Sequence, residues 1–253
     1  MSLTSFMVLL AMGLYGLPPF SLSAGGGGLL GYTFTRYTLE GDGALDPNTN
    51  GNIKLSQSMD RFNYGGFLFF DATYGEFALS LQGGRNSYGE TLDRRLAGGP
   101  WATVSDYKGT GTEMLLGLSL MGKYPFKVNE KISWFPLVGI EYQIALLEWR
   151  KRDGDKVRDR TKGKLDEDLD KNGNSYPLYA WNSFAIDVGA GFNYKIRDRL
   201  FLRNELLFSF RLQTPYETGA LEMTKNKFHA SNVSLVGLTG GPTLRTSIGY
   251  RFK

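Results

Sequence analysis

Asn182–Lys195 reads N-S-F-A-I-D-V-G-A-G-F-N-Y-K, and this stretch decides the fold. Phe184, Ile186, Val188, Ala190, Phe192 and Tyr194 alternate with Ser183, Ala185, Asp187, Gly189, Gly191, Asn193 and Lys195. A period of two sustained over this length is a strand with one apolar and one polar face.

Seven further segments repeat the pattern: Gly28–Leu39, Phe62–Ala72, Glu76–Gly84, Thr112–Tyr124, Ile132–Gln143, Leu200–Leu212 and Pro242–Phe252. Their connections alternate in length. Thr73-Tyr74-Gly75, Pro125–Lys131 and Ile196–Arg199 are short, whereas the stretches near 40–61, 85–111, 144–181 and 213–241 are long. Short turns at one end and long loops at the other, with an even strand number, are the signature of a transmembrane barrel. The spacing therefore predicts an all-β fold: an eight-stranded antiparallel transmembrane β-barrel with four long external loops and short periplasmic turns.

Composition excludes most other classes. The 253 residues are 42% hydrophobic and 21% charged, which is too apolar for a disordered chain. Zero cysteines exclude disulfides, thiol catalysis and Cys-ligated metals, and one histidine excludes a multi-histidine site, so no metal and no cofactor are expected. A net charge of +4, scattered along the chain, gives no nucleic-acid footprint.

The faces separate a membrane barrel from a soluble one. Strand parity sends Asp71, Lys123, Glu141, Asp187, Arg203, Glu205, Arg211, Arg245 and Arg251 to one side, opposite aliphatic and aromatic residues. A dry soluble core does not hold nine charges cheaply, but a narrow, partly hydrated lumen holds them when they pair. Eight strands leave an interior only as wide as side chains, so the lumen is expected to be plugged by this network. Phe70, Phe77, Tyr124, Trp134, Phe192, Tyr194, Tyr250 and Phe252 gather at the short-turn ends, where a headgroup girdle belongs. In the second segment Phe67 and Phe69 place aromatics on the other face as well.

Phe6–Leu14 is an apolar run of signal-peptide length. Pro18-Pro19 ends it, and Ser21-Leu22-Ser23-Ala24 supplies small residues, although no Lys or Arg precedes Arg36. The expected division is a signal peptide over 1–23 and an outer-membrane barrel over 24–253.

Of the long loops, the third is the most charged. Glu148–Lys171 is basic at first (Arg150, Lys151, Arg152, Arg158, Arg160) and acidic later (Asp166, Glu167, Asp168, Asp170). Such a run hydrates a surface, or binds an anionic polymer or host protein. Asp46–Gly51 and Asp168–Gly173 open like calcium loops, D-x-[DN]-x-[DN]-G. Their twelfth positions are Gln57 and Tyr179 rather than Glu, so they read as Asx-rich turns.

The C-terminal Thr246-Ser247-Ile248-Gly249-Tyr250-Arg251-Phe252 resembles the terminal-strand signal of outer-membrane proteins, with Lys253 as the one departure. Together with Leu200–Leu212, the chain resembles the small eight-stranded outer-membrane barrels, the OmpW, OmpX and opacity-protein group. That resemblance implies an outer-membrane location, lipid as a partner, and the barrel-insertion machinery as a partner of the C-terminal strand. It also implies surface-exposed loops for interaction or adhesion with a host or surface ligand, or alternatively a narrow passive channel for small hydrophobic solutes. His229-Ala230-Ser231-Asn232 resembles the His-x-Ser-Asn motif of outer-membrane lipid A deacylases, with His229 and Ser231 as the reactive pair. The acid that would orient such a base is missing, since no Asp or Glu follows Glu222. A non-enzymatic surface barrel is the leading expectation.

Overall fold

The computed structural model describes residues 20–42, 51–96, 99–152, 158–159, 182–212 and 231–252. Eight strands form the wall: β1 Leu22–Asp42, β2 Gly51–Ala72, β3 Gly75–Leu96, β4 Trp101–Lys123, β5 Ile132–Arg152, β6 Ser183–Lys195, β7 Leu200–Arg211 and β8 Ser231–Arg251. Each pairs antiparallel with its neighbour in sequence. β8 closes the ring on β1 from Ser23↔Arg251 to Asp42↔Ser231. Among the described residues, closure leaves no open edge at the levels where the outer face is apolar, the condition for backbone to cross lipid as strands. Among the described residues no helix is long and apolar enough to span a membrane.

The alternation maps onto the two sides of this wall. Leu30, Leu68, Leu79, Val138, Val188, Leu206, Leu244 and Ile248 stand exposed on the outside, while Asp187, Arg203, Glu205 and Arg245 are buried inside. Outward aromatics bound the apolar zone. Phe70 and Phe77 sit near the short turns, and Tyr32, Phe62 and Tyr64 sit at the other border. Eight residues separate the Ala24↔Phe70 pair from Tyr32↔Phe62 on β1. That is about 26 Å of strand, or roughly 20 Å along the axis of a tilted barrel, close to the usual lipid-facing band. Charges begin directly above it, where Arg36 and Asp60 pair at 2.7 Å on the outer face.

The strands run past the limits read from sequence. β1 continues to Asp42, β2 starts at Gly51, and β3 and β4 extend to Leu96 and from Trp101. β5 extends to Arg152 and β8 begins at Ser231. Much of what reads as loop is thus paired strand projecting beyond the bilayer. Outward positions there face water, so the apolar half of the alternation disappears while the ladder continues. Polar pairs across it hold the register: Lys54–Glu40 at 2.8 Å, Asn52 to Asp42 at 2.9 Å, and Thr103 to Asp93 at 2.8 Å.

Glycine makes the closing seam. A Cβ on Gly27 would lie 1.9 Å from the Thr246 carbonyl and 2.5 Å from the Ser247 Cα, both backbone atoms. Gly27→Ala is therefore expected to push β1 off β8 and cost about 1–3 kcal/mol. A urea titration of the refolded barrel checks this, and an unchanged midpoint would refute it.

Candidate functional site

The lumen is the site, and it is built in levels from the short-turn end upward. At the lowest, Arg203 on β7 reaches across the ring. Its Nη2 donates to Asp71 Oδ2 on β2, its Nη1 to Glu76 Oε2 on β3, and its Nε to Asn193 Oδ1 on β6 at 2.9 Å. Glu205 Oε1 lies 3.8 Å from Nη1. Lys123 Nζ adds a second cation, 2.6 Å from Asp71 Oδ1 and 3.6 Å from Glu76 Oε2, and Ser23 Oγ donates to Asp71 at 3.1 Å. Arg203 is 1% exposed. Its guanidinium lies over the rings of Phe69 (4.4 Å), Phe201 (5.2 Å) and Phe135 (5.4 Å). The flat cation thus meets carboxylates on its edge and aromatic faces beside it, the environment a guanidinium accepts best.

One level up, Arg245 Nη2 binds Glu141 Oε2 at 3.0 Å. Gln143 and Gln82 donate to Glu141 Oε1, the latter at 3.5 Å, and Arg211 Nη2 donates to Gln143 Oε1. Arg245 stands opposite Glu205 in the β7–β8 ladder, and Asp187 opposite Ser209 in the β6–β7 ladder. Higher still, Arg61 and Glu113 form a buried pair at 2.7 Å. Above this pair the inner face is mixed: the Tyr37 hydroxyl donates to Gln57 Oε1 and Gln57 Nε2 donates to Glu90 Oε2, while Leu39, Ile53 and Leu55 are buried beside this chain.

Of the nine charged residues assigned to the lumen by parity, eight join or border these levels. Arg251 instead is exposed at the lower mouth, its guanidinium 6.0 Å over Phe201. Glu76, Arg61 and Glu113 belong to the network but escape the sequence reading. Each continues the inward parity of its strand, and Glu76 is the second residue of β3, just after a turn, where an exposed charge is the simpler reading. The inner face also holds more apolar surface than parity suggests. Leu29, Phe67, Phe69, Ala78 and Phe201 form one cluster, and Met121, Phe135, Leu137 and Leu207 another. Apolar side chains thus pack beside the charges in the lower interior.

Trp134, Tyr194, Tyr250 and Phe252 are exposed on the outside at the short-turn end, and Tyr250 meets Phe252 edge-on at 5.8 Å. Tyr124, read as part of the girdle, is buried instead, tucked under the turn against Phe126 at 4.9 Å. Ser23, assigned by sequence to the leader, lies in β1 and bonds Asp71, and Phe20 is the first described residue.

Arg150, Lys151 and Arg152 end β5, their backbones paired with β4, and Arg158 pairs with Arg150. Their side chains lie outside the described residues, as do Arg160, Asp166, Asp168, Asp170, His229 and both calcium-like loops apart from Gly51. Ser231 opens β8 opposite Asp42, ten residues up β1 from Tyr32. That is about 33 Å of strand beyond the apolar border, far from the level of a lipid ester.

A closed ring of eight antiparallel strands, apolar outside and charged inside, defines an outer-membrane β-barrel. No family model and no curated protein matches the chain. Among solved structures it is similar to the outer membrane protein OprG from Pseudomonas aeruginosa, with 12% identity over 94% of this chain and 98% of that one, at a TM-score of 0.36. Ail of Yersinia pestis, in complex with the heparin analogue sucrose octasulfate, gives 14% identity, 92% and 99% coverage and a TM-score of 0.30. Neisserial surface protein A gives 12%, 93% and 100%, and 0.30.

Proposed function

We propose that this barrel is a non-enzymatic surface protein of the outer membrane, exported by a leader over 1–23. Its lumen is closed by charge pairs, and its external hairpins and loops carry interaction or adhesion. The observation that carries the reading is Arg203, which ties β7 to β2 and β3 through a fully buried pair of carboxylates. A side chain held on three sides across an interior of this width leaves no route for hydrated ions. The loop around Arg150–Asp170, charged throughout, is the surface offered to an anionic polymer or host protein. The outward row of Ile248 and Tyr250 on β8, with Phe252 just after it, is what the insertion machinery would read.

Planar-bilayer recording tests the closed lumen. Silence from the unmutated protein, with steady conductance from Arg203→Ala, is expected, because removing the guanidinium that spans the ring opens the lowest level. Large steady conductance from the unmutated protein would sink this reading. A second reading, a narrow passage for small apolar solutes, draws on one observation: Leu39, Ile53 and Leu55 are buried on the inner side of the upper β1 and β2. It requires apolar-solute uptake by vesicles carrying the barrel, at rates that Leu39→Asp lowers.

A further inference from the structure

The rim formed by the short turns is lopsided in charge. On the β1–β3 side its described residues past the leader are Thr73, Tyr74 and Gly75, with no ionisable group among them except the Tyr74 phenol. On the β5–β8 side it carries Lys127, Lys131, Lys195, Arg197, Arg199 and Arg251 against Glu130 and Asp198, all of them exposed. The fold sets like charge beside like charge. The Lys195 N–H donates to the Lys131 carbonyl at 2.7 Å, and the Arg251 N–H donates to the Arg199 carbonyl at 2.7 Å. Residues far apart in sequence are thus made backbone neighbours, and such pairs repel unless an anion lies between them. Asp198 engages Lys195 at 2.8 Å.

These cations also stand at a defined depth. Phe126, just before Lys127, stacks on Trp134 at 4.8 Å, Tyr194 precedes Lys195, and Arg199 Nη1 donates to the Tyr250 hydroxyl at 3.2 Å. Aromatic rings of this belt lie at the headgroup level, so the neighbouring ammonium and guanidinium groups lie at the level of lipid phosphates.

We propose that the β5–β8 side of this rim binds the phosphates of anionic phospholipids in the leaflet that it faces, through Lys131, Lys195, Arg199 and Arg251. Arginine offers a forked contact and lysine a point charge to the same oxygens. The opposite side of the rim offers neither, so anionic lipid gathers on one flank of the barrel.

The full chain, refolded into phosphatidylcholine vesicles, is titrated with trace spin-labelled phosphatidylglycerol or phosphatidylcholine, and the motionally restricted fraction is read by electron spin resonance. Selection of phosphatidylglycerol on the order of fivefold is expected, falling toward parity in 0.5 M salt. Lys131→Gln/Lys195→Gln/Arg199→Gln/Arg251→Gln should abolish it, whereas Arg36→Gln/Arg85→Gln at the opposite border should not. Millimolar inorganic phosphate should leave the selection in place if bilayer lipid is the ligand. Equal restriction of both lipids by the unmutated protein overturns the proposal and favours a soluble periplasmic polyanion at this rim. Full selection retained by the quadruple variant overturns it equally, and the salt series on unmutated protein decides the matter even where that variant fails to refold.

Discussion

Arg203→Ala is expected to destabilise the barrel by about 3–5 kcal/mol, the cost of leaving buried carboxylates without their cation. Asp71 and Glu76 each lose a charge-assisted bond, and Lys123 alone remains to face both. The three aromatic rings around the guanidinium also lose their filling, so a cavity adds to the electrostatic loss. Combining Arg203→Ala with Asp71→Asn and Glu76→Gln should recover part of the deficit, because neutral amides tolerate the dry interior better than unpaired carboxylates. Urea midpoints followed by tryptophan fluorescence, with heat-modifiable gel migration as a check on folding, give both numbers. A single-variant loss below about 1 kcal/mol would show that Arg203 is solvated rather than locked.

Val188→Arg should cost roughly 2–4 kcal/mol in bilayers, the penalty for a cation on the lipid face at mid-membrane. Val188 pairs with Val138 and Phe208, all pointing outward within the apolar band. Val236→Arg provides the contrast. Val236 is also outward and is 75% exposed, but it pairs with Thr38, two residues beyond the Arg36 that marks the border of the band. A change near zero is expected there. Equal penalties at both sites would mean that the apolar band has been placed at the wrong height. Gly189, next to Val188 on the inner face, is unsuitable as a lumen control, since a Cβ there would lie 2.2 Å from the Leu206 carbonyl.

Strand existence, strand number and facing were all legible along the chain, because lipid outside and a polar lumen inside impose a period of two that single residues report. Asp187, Arg203, Glu205 and Arg245 could be placed inside from parity alone for that reason. The upper strand halves were not legible. Over 56–60 and 89–91 polar residues stand on both faces, and no alternation survives to be read. Pairing and long-range geometry supply what periodicity lacks there.

Which side of the wall each residue of the membrane segment faces follows from the chain alone, since neighbouring Cβ atoms point opposite ways and the two solvents differ. Which charges meet follows from the closed ring. Arg203 is separated from Glu76 by 127 positions and from Asp71 by 132. Their contact depends on the stagger and closure of the ring, which bring β7 across from β2 and β3. The same closure places Lys131 beside Lys195 and Arg199 beside Arg251. Facing is a local property of the chain, whereas partnership across a barrel is fixed by how the whole sheet curls shut.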